Sequence, residues 1–292
     1  MKVAIYSRVY ESDQKEDIQR LLQELKDQQI GVSMYRGFYE QIKQDISFDT
    51  EPTLFHSSQD LNDTFECMIS LGGDGTLLDT VTMVRNQDIP LLGINFGRLG
   101  FLASIGREEL ETVVALLKNR TFVEDERTLI HLDSNLPLFG ETPYALNEFA
   151  IHKLDTSSMI KIHAYLNGEF LNSYWADGLI VATPTGSTGY SLSCNGPIVF
   201  PESGSFVITP VAPHNLNVRP IVVPDDNIIS FEIEGRADSF LCTLDSRKEI
   251  VQKTIQLAVK KETFTISLIR LNENNFLQTL RNKLSWGLDR RN

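Results

Sequence analysis

From the start of the chain to about residue 118, short apolar runs alternate with stretches of helical period. Residues 3–6 (Val-Ala-Ile-Tyr) read as a buried strand. Over 17–30, Ile18, Leu21, Leu22 and Leu25 recur at the spacing that lines one face of a helix, and Gly31 ends it. Residues 32–35 predict a second strand, 38–46 a weaker helix, and 47–64 a polar, irregular surface loop. A strand over 67–71 runs into a glycine-rich turn, and Leu77, Leu78, Val81 and Val84 carry a helix out of it to about residue 85. Residues 90–94 predict another strand and 108–117 an amphipathic helix. This alternation predicts an α/β domain over 1–120, with a mostly parallel sheet and helices on both faces.

Past residue 120 the rhythm changes to short β-rich runs, at 128–132, 144–151, 160–166, 169–174, 179–183, 206–211, 221–223, 228–233, 240–244, 254–259 and 264–269. Asn167-Gly168 between two of them is a strong hairpin signal. The expectation is an all-β sandwich over 121–270. Residues 276–286 are helical again, and 271–292 are expected to rejoin the first domain. There is no internal repeat and no low-complexity segment.

Composition narrows the function without naming it. With 292 residues, 41% hydrophobic and 23% charged, the chain has the make-up of an ordinary soluble globular protein. A net charge of −12 argues against broad binding to nucleic acid or an anionic membrane. Cys67, Cys194 and Cys242 lie far apart without zinc-site spacing, as buried thiols in a reducing compartment would. The N-terminus turns polar too soon for a signal peptide, and no apolar run approaches a membrane span, so the expected location is the cytoplasm.

Two constellations carry candidate chemistry. The first is Leu71-Gly72-Gly73-Asp74-Gly75-Thr76-Leu77-Leu78, on the strand-to-helix turn. Glycines let backbone approach a ligand closely, and a helix start offers unpaired N–H groups and a positive dipole end, which suit phosphate. That makes Gly72, Gly73, Gly75 and Thr76 candidates for holding a phosphate donor. Asp74 is out of place in a pure anion cradle. It makes sense taking a proton from an attacking hydroxyl, facing a metal that carries phosphates, or capping the next helix. A second glycine stretch, residues 95–101, also follows a predicted strand, and ligands of parallel sheets collect at the carboxyl ends of strands.

The second constellation is Thr183-Pro184-Thr185-Gly186-Ser187-Thr188-Gly189-Tyr190-Ser191. Its small hydroxyls and glycines read as a bent loop rich in donors for a ligand with sugar and base edges. Asn147-Glu148 and Asp177-Gly178 lie upstream, and carboxylates accept hydrogen bonds from ribose hydroxyls.

In order and spacing the two constellations, with Pro213-His214-Asn215-Leu216 and Arg219-Pro220-Ile221-Val222, closely resemble the NAD kinase family of bacterial type over nearly the whole chain. The resemblance implies an N-terminal α/β domain for the phosphate donor and a C-terminal β domain for NAD. It implies transfer of the terminal phosphoryl group of ATP, or of another donor, to the 2′-hydroxyl of the adenosine ribose of NAD, giving NADP. It further implies a divalent metal, usually magnesium, and self-association as dimers or tetramers, the homotetramer being preferred here.

Carried over by position, Asp74 matches the catalytic acid and Gly75 its neighbour, Asn147 and Glu148 the pair that holds NAD, and Asp177 a carboxylate near the nicotinamide end. Thr188, Gly189, Tyr190, Ser191, Leu192 and Ser193 match the strip lining the adenosine pocket, Ala212 a further contact, and Phe96 the adenine pocket. No protein side chain is assigned to the metal. The chain departs from the family pattern at Gly189, where alanine is common, and at Asp245-Ser246-Arg247, where Asp-Gly-Gln is usual. It departs again at Trp175 and Ser158, where some members carry basic or histidine side chains. Arg247 is read as a surface cation in preference to a phosphate contact, Lys153 as part of a solvated face, and His56, His131, His152 and His163 as structural, while His214 lies in the Pro-His stretch, which implies no catalytic role for it. A lipid-type kinase shares the glycine turn but would need a membrane-binding feature; a non-catalytic NAD(P) sensor would have no use for Asp74.

Overall fold

In the computed structural model, which describes residues 1–98, 100–154, 159–235, 237–271 and 276–285, the early apolar runs become strands and helices that alternate except between β3 and β4, where only a 3₁₀ turn intervenes. They are β1 (Lys2–Tyr6), α1 (Lys15–Asp27), β2 (Gly31–Tyr35), α2 (Arg36–Ile42), β3 (Thr53–Phe55), β4 (Cys67–Leu71), α3 (Asp74–Val84), β5 (Leu91–Ile94) and α4 (Leu110–Asn119). They belong to a first unit, Met1–Glu126 with Ile266–Asn292; the second unit is Arg127–Thr265.

The first unit is built on a parallel sheet in the order β5-β4-β1-β2-β3. Val3, Ile5, Cys67, Ile69, Leu92 and Ile94 share one face. There they bury Ile18, Leu21 and Leu25 of α1, Phe38 and Ile42 of α2, and Val113, Val114 and Leu117 of α4. Leu91 and Gly93 alternate to the other face, where α3 lies so close that a Cβ on Gly93 would stand 2.7 Å from Leu77 Cδ1. Helices therefore cover both faces, as strands apolar on every residue require. β3 was not expected in the 47–64 segment. It is a three-residue edge strand with only Phe55 buried, too short to show a period.

The second unit contains β7 (Tyr144–Ala145), β8 (Glu148–Lys153), β9 (Ile160–Leu166), β10 (Glu169–Ala176), β11 (Gly178–Ala182), α5 (Tyr190–Ser193), β12 (Ser205–Val211), β13 (Ile221–Pro224), β14 (Ile229–Glu234), β15 (Ser239–Leu244) and β16 (Arg247–Gln252). β6 (Val123–Ser134) and β17 (Leu257–Arg270) each have residues in both units, and α6 (Phe276–Leu284) closes the described chain. Trp286, the last residue of the expected final helix, and Ser158 lie outside the described residues.

One sheet of the second unit runs β13-β12-β11-β8-β15-β16, antiparallel throughout. The other joins β10, β9, β14 and β17. Phe149, Ile151, Leu179, Val181 and Phe240 from the first meet Ile162, Ala164, Phe231 and Val259 from the second in one apolar core, the expected sandwich. Asn167 and Gly168 both have positive φ (50° and 84°), as a tight hairpin turn of this sequence demands.

The structure differs from the expected strands at three places. The run 144–151 breaks at Leu146-Asn147. The runs 254–259 and 264–269 are one 14-residue strand, because Lys260-Lys261-Glu262-Thr263 is polar but holds no glycine or proline to break it. β16 was missed: its Arg-Lys-Glu opening masks the alternation, as charge on an edge strand does. Among the described residues no helix is long and apolar enough to cross a membrane.

Candidate active site

The site residues fall into two groups, one in each unit. In the first unit the glycine turn closes β4 and opens α3. Gly72 has φ +144°, and a Cβ there would lie 2.5 Å from Thr76 Oγ1, so only glycine fits. Its N–H donates to Ile94 O at 2.9 Å, which ties the turn to the carboxyl end of β5. The amides of Thr76 and Leu77 turn back onto Gly73 O at 3.0 and 3.2 Å. Those of Asp74 and Gly75 precede the first bond of the helix ladder, so they are the ones presented to an anion. A Cβ on Gly75 would meet nothing within 4 Å: this residue faces open space.

Asp74 does not cap α3. Gly73 holds the N-cap position and no side chain caps there. The Asp74 carboxylate reaches instead to the turn after β5, where Oδ2 accepts from Phe101 N (2.9 Å) and Oδ1 from Leu102 N (3.0 Å) and Ala103 N (2.9 Å). The capping role weighed for Asp74 from sequence is thus excluded by geometry. Phe96, expected at the adenine pocket, is 3% exposed within the apolar core of the first unit, so its ring offers no face to a ligand.

In the second unit Glu148 begins β8 with Asn147 just before it, and Asp177 immediately precedes β11. The register pairs Ala182 with Glu148 and Gly178 with His152, so Glu148 and Asp177 lie at opposite ends of the β8–β11 pair. Four residues of strand separate those ends, about 13 Å. Glu148 and His152 share the sheet face turned away from the sandwich core, with Ala150, Ile180 and Ala182. The strip after residue 183 folds onto that face. A Cβ on Gly189 would stand 3.3 Å from Glu148 Oε2, and the Tyr190 ring lies 5.7 Å from that of His152. Ala212, with φ +45°, follows Val211, which pairs with Gly178 and accepts from Asp177 N at 2.9 Å. Asp177 and Ala212 are therefore neighbours.

The 183–191 segment is not a loop of ligand-facing hydroxyls. It forms a 3₁₀ turn over Thr185–Thr188 and the short α5. Thr183 Oγ1 donates to Leu146 O (2.5 Å), Ser187 Oγ to Pro184 O (2.6 Å) and Thr188 Oγ1 to Thr185 O (3.1 Å), while Ser191 Oγ pairs with Thr209 Oγ1 (2.8 Å). The hydroxyls build the turn, because a compact buried segment must satisfy its own carbonyls. What the strip leaves outward is Gly189, the Tyr190 ring (40% exposed), Leu192 and Ser193.

Three side chains that sequence reasoning assigned to the background hold this group in place. Asp245, half-buried and at φ +52°, accepts from Leu146 N (2.9 Å), Asn147 N (2.9 Å) and Glu148 N (3.1 Å). Arg247 is no surface cation: Nη1 donates to Thr142 O and Oγ1, Nη2 donates to Tyr144 O, and the guanidinium lies over the Phe139 ring. Lys153 pairs with Asp177 Oδ1 at 2.6 Å rather than facing water alone. No local pattern could reveal these links, because the partners are 24 to about 100 residues apart.

Asn147 Oδ1 and Glu148 Oε2 are buried oxygens without a protein hydrogen-bond partner. Such atoms are rare in a finished core. Burial, and after it the nearby Asp245 charge, push the Glu148 carboxyl up to about 8. The Asp245 carboxyl is also raised by burial, against the pull of its three amide donors and Arg247.

A carboxyl whose folded value exceeds its ordinary value of ~4.3 binds more protons folded than unfolded across that window. Its contribution to stability therefore declines as pH rises toward about 8 and levels off above it. Glu148→Gln removes this component. In paired thermal melts, wild type is expected to lose stability relative to Glu148→Gln between pH 5 and pH 9. A constant difference across that range would show that Glu148 ionises normally.

Residues 3–122 match the family model described as ATP-NAD kinase N-terminal domain, and residues 146–271 that described as ATP-NAD kinase C-terminal domain. The NAD kinase of Cytophaga hutchinsonii is 52% identical over the full length of both chains, and that of Flavobacterium psychrophilum 46%. Among solved structures, yeast NADH kinase complexed with NADH superposes with a TM-score of 0.89 at 24% identity, covering 99% of this chain and 89% of that one. An NAD kinase from Archaeoglobus fulgidus in complex with ATP gives 0.75 at 23% identity, covering 98% and 99%. At these identities the structures speak for the fold.

Proposed function

The chain belongs to the NAD kinase family and phosphorylates NAD to NADP with ATP as co-substrate, and we propose how its own residues divide that work. The second unit holds NAD. Asn147, Glu148, Asp177 and Ala212 contact the dinucleotide, and Gly189, Tyr190, Leu192 and Ser193 form the adenosine strip, with Tyr190 the aromatic face and Thr188 and Ser191 holding the turn behind it. The first unit holds the donor in the turn of Gly72, Gly73, Gly75 and Thr76, through the amides of Asp74 and Gly75 that the turn leaves open. Asp74 accepts the 2′-hydroxyl proton as the new O–P bond forms.

The observation that carries this reading is the pair of unpartnered buried oxygens on Asn147 and Glu148, at the far end of one strand pair from Asp177. Only a ligand at least ~13 Å long, as a dinucleotide is, reaches both ends. Incubating the protein with NAD, ATP and magnesium and assaying NADP tests the activity; no NADP would end the reading. Single alanine changes at Asn147, Glu148 and Asp177 are expected to weaken NAD binding ten- to hundredfold, within the ~1–3 kcal/mol of leaving a buried polar group without its partner. Calorimetric titration checks this, and unchanged affinity in all three variants would remove the assignment.

The donor ion is proposed to be magnesium. Among the described residues no group of three or more His, Cys, Asp or Glu is placed to hold a metal. The ion would arrive on the phosphates with its own waters. Bound with the triphosphate, it would neutralise charge on the phosphate oxygens.

We further place the protein in the cytoplasm as a homotetramer with Asp177 near a subunit interface. The six-stranded sheet ends in β13 and β16, whose Val222 and Ile250 are 49% and 66% exposed, and open edges of this kind call for cover. Sedimentation at micromolar concentration should give four chains per particle. A fully active monomer would refute the assembly.

A further inference from the structure

The three amides on Asp74 belong to a turn whose form depends on glycine at two places. Gly100 N donates to Ala103 O at 2.8 Å and closes the turn, so Phe101, Leu102 and Ala103 point their N–H groups into one cradle. A Cβ on Gly100 would lie 1.7 Å from Asp74 Oδ1 and 2.4 Å from Cγ, which no rotamer of an alanine can avoid. The following residues dock along β5: Asn95 N donates to Ile105 O at 2.8 Å, and Ile94 and Ile105 form a parallel bridge. Gly93 permits that docking, since a Cβ there would stand 2.8 Å from Ala103 Cα and 2.7 Å from Leu77 Cδ1 of α3. The helix bearing Asp74 and the turn bearing its amides thus press against the same glycine of the sheet.

A carboxylate offers about four lone-pair directions, two on each oxygen. Oδ1 accepts two amides and Oδ2 accepts one. We infer that Asp74 Oδ2 is the atom that takes the ribose proton and that Gly100 is a positioning residue holding it there. This rests on the proposed role of Asp74 as base. In the step, the 2′-oxygen forms its bond to the γ-phosphorus while the bond from that phosphorus to the β–γ bridging oxygen breaks. ADP leaves, and the hydroxyl proton passes to Oδ2. The cradle fixes the carboxylate by backbone rather than by side chains, so the accepting oxygen cannot swing away when substrate enters. A misplacement of about 1 Å is enough to cost a reaction roughly a hundredfold.

Gly100→Ala, Asp74→Asn and the double variant test this by steady-state kinetics, with NAD affinity and thermal melts alongside. Gly100→Ala is expected to lower kcat about a hundredfold and leave KM for NAD within about twofold. In the Asp74→Asn background the same change should cost less than about twofold, because a residue that acts only through Asp74 has nothing left to position. A parent-like rate for Gly100→Ala, or equal losses in both backgrounds, overturns the inference while Asp74 remains the base. An active Asp74→Asn removes the base reading itself. Should the variants fail to fold, a crystal structure of the wild-type protein with NAD and a non-hydrolysable ATP analogue decides. A 2′-oxygen within hydrogen-bond reach of Oδ2 is expected. Contact with Oδ1 overturns the assignment, and contact with neither removes Asp74 as base.

Discussion

Asp74→Asn is expected to fold, to bind NAD as the parent does, and to turn over roughly 10²–10⁴-fold more slowly at saturating substrates and magnesium. A ribose hydroxyl is a weak acid, and its proton must leave as the oxygen attacks phosphorus. Phosphoryl transfer leaves the protein little covalent work, so a correctly placed acceptor and the neutralisation of charge make up most of what it can contribute. Asparagine keeps the size of aspartate and one acceptor oxygen for the amides of residues 101–103. It replaces the other oxygen by an NH₂ group that cannot take a proton. A loss in kcat with NAD affinity retained assigns the effect to chemistry. If turnover stayed within a few-fold of the parent, the carboxylate would serve only to pin the turn after β5.

Removing the Asp245 carboxylate should have the largest effect on stability. Asp245→Ala strips the acceptor from the part-buried amides of Leu146, Asn147 and Glu148 at once. Each orphaned amide costs ~1–3 kcal/mol, least where water can replace the lost acceptor. The expected destabilisation is on the order of 3–5 kcal/mol, read as a lower urea midpoint with an unchanged slope. Where the variant stays folded, NAD affinity should fall as well, since Asn147 and Glu148 lose the group that sets their backbone. A midpoint within about 1 kcal/mol of the parent would mean that the remaining bond between Asp245 N and Glu148 O, with the β8–β15 pairing, holds the segment unaided.

These two carboxylates were unequally legible. Asp74 drew notice from sequence because a negative charge among glycines at a helix start conflicts with a simple phosphate cradle. Asp245 carried no such conflict and entered only as part of a tripeptide that departs from a familiar pattern. Its function comes from partners about 100 residues earlier in the chain. Arg247 and Lys153 show the same blindness. Read alone, each is a cation on a polar stretch. In the fold Arg247 clamps residues 142–144 and Lys153 neutralises Asp177.

Period was the most dependable guide. Residues 160–166 and 67–71 occur as strands where alternation and continuous apolarity place them, and Ile18, Leu21 and Leu25 are fully buried on one face of α1. Short or charged edge strands such as β3 and β16 escaped because they bury too little to show a period. The family, the α/β and β architecture and the glycine turn could thus be read from local order, since each depends on residues near one another in the chain. Which oxygen of Asp74 stays open, and which buried acceptors lack a partner, was decided by the tertiary structure alone. So was the inward turn of the hydroxyls of 183–191. A hydrogen bond is a relation between two places, and in this chain most of the relations that shape the site join residues brought together only by folding.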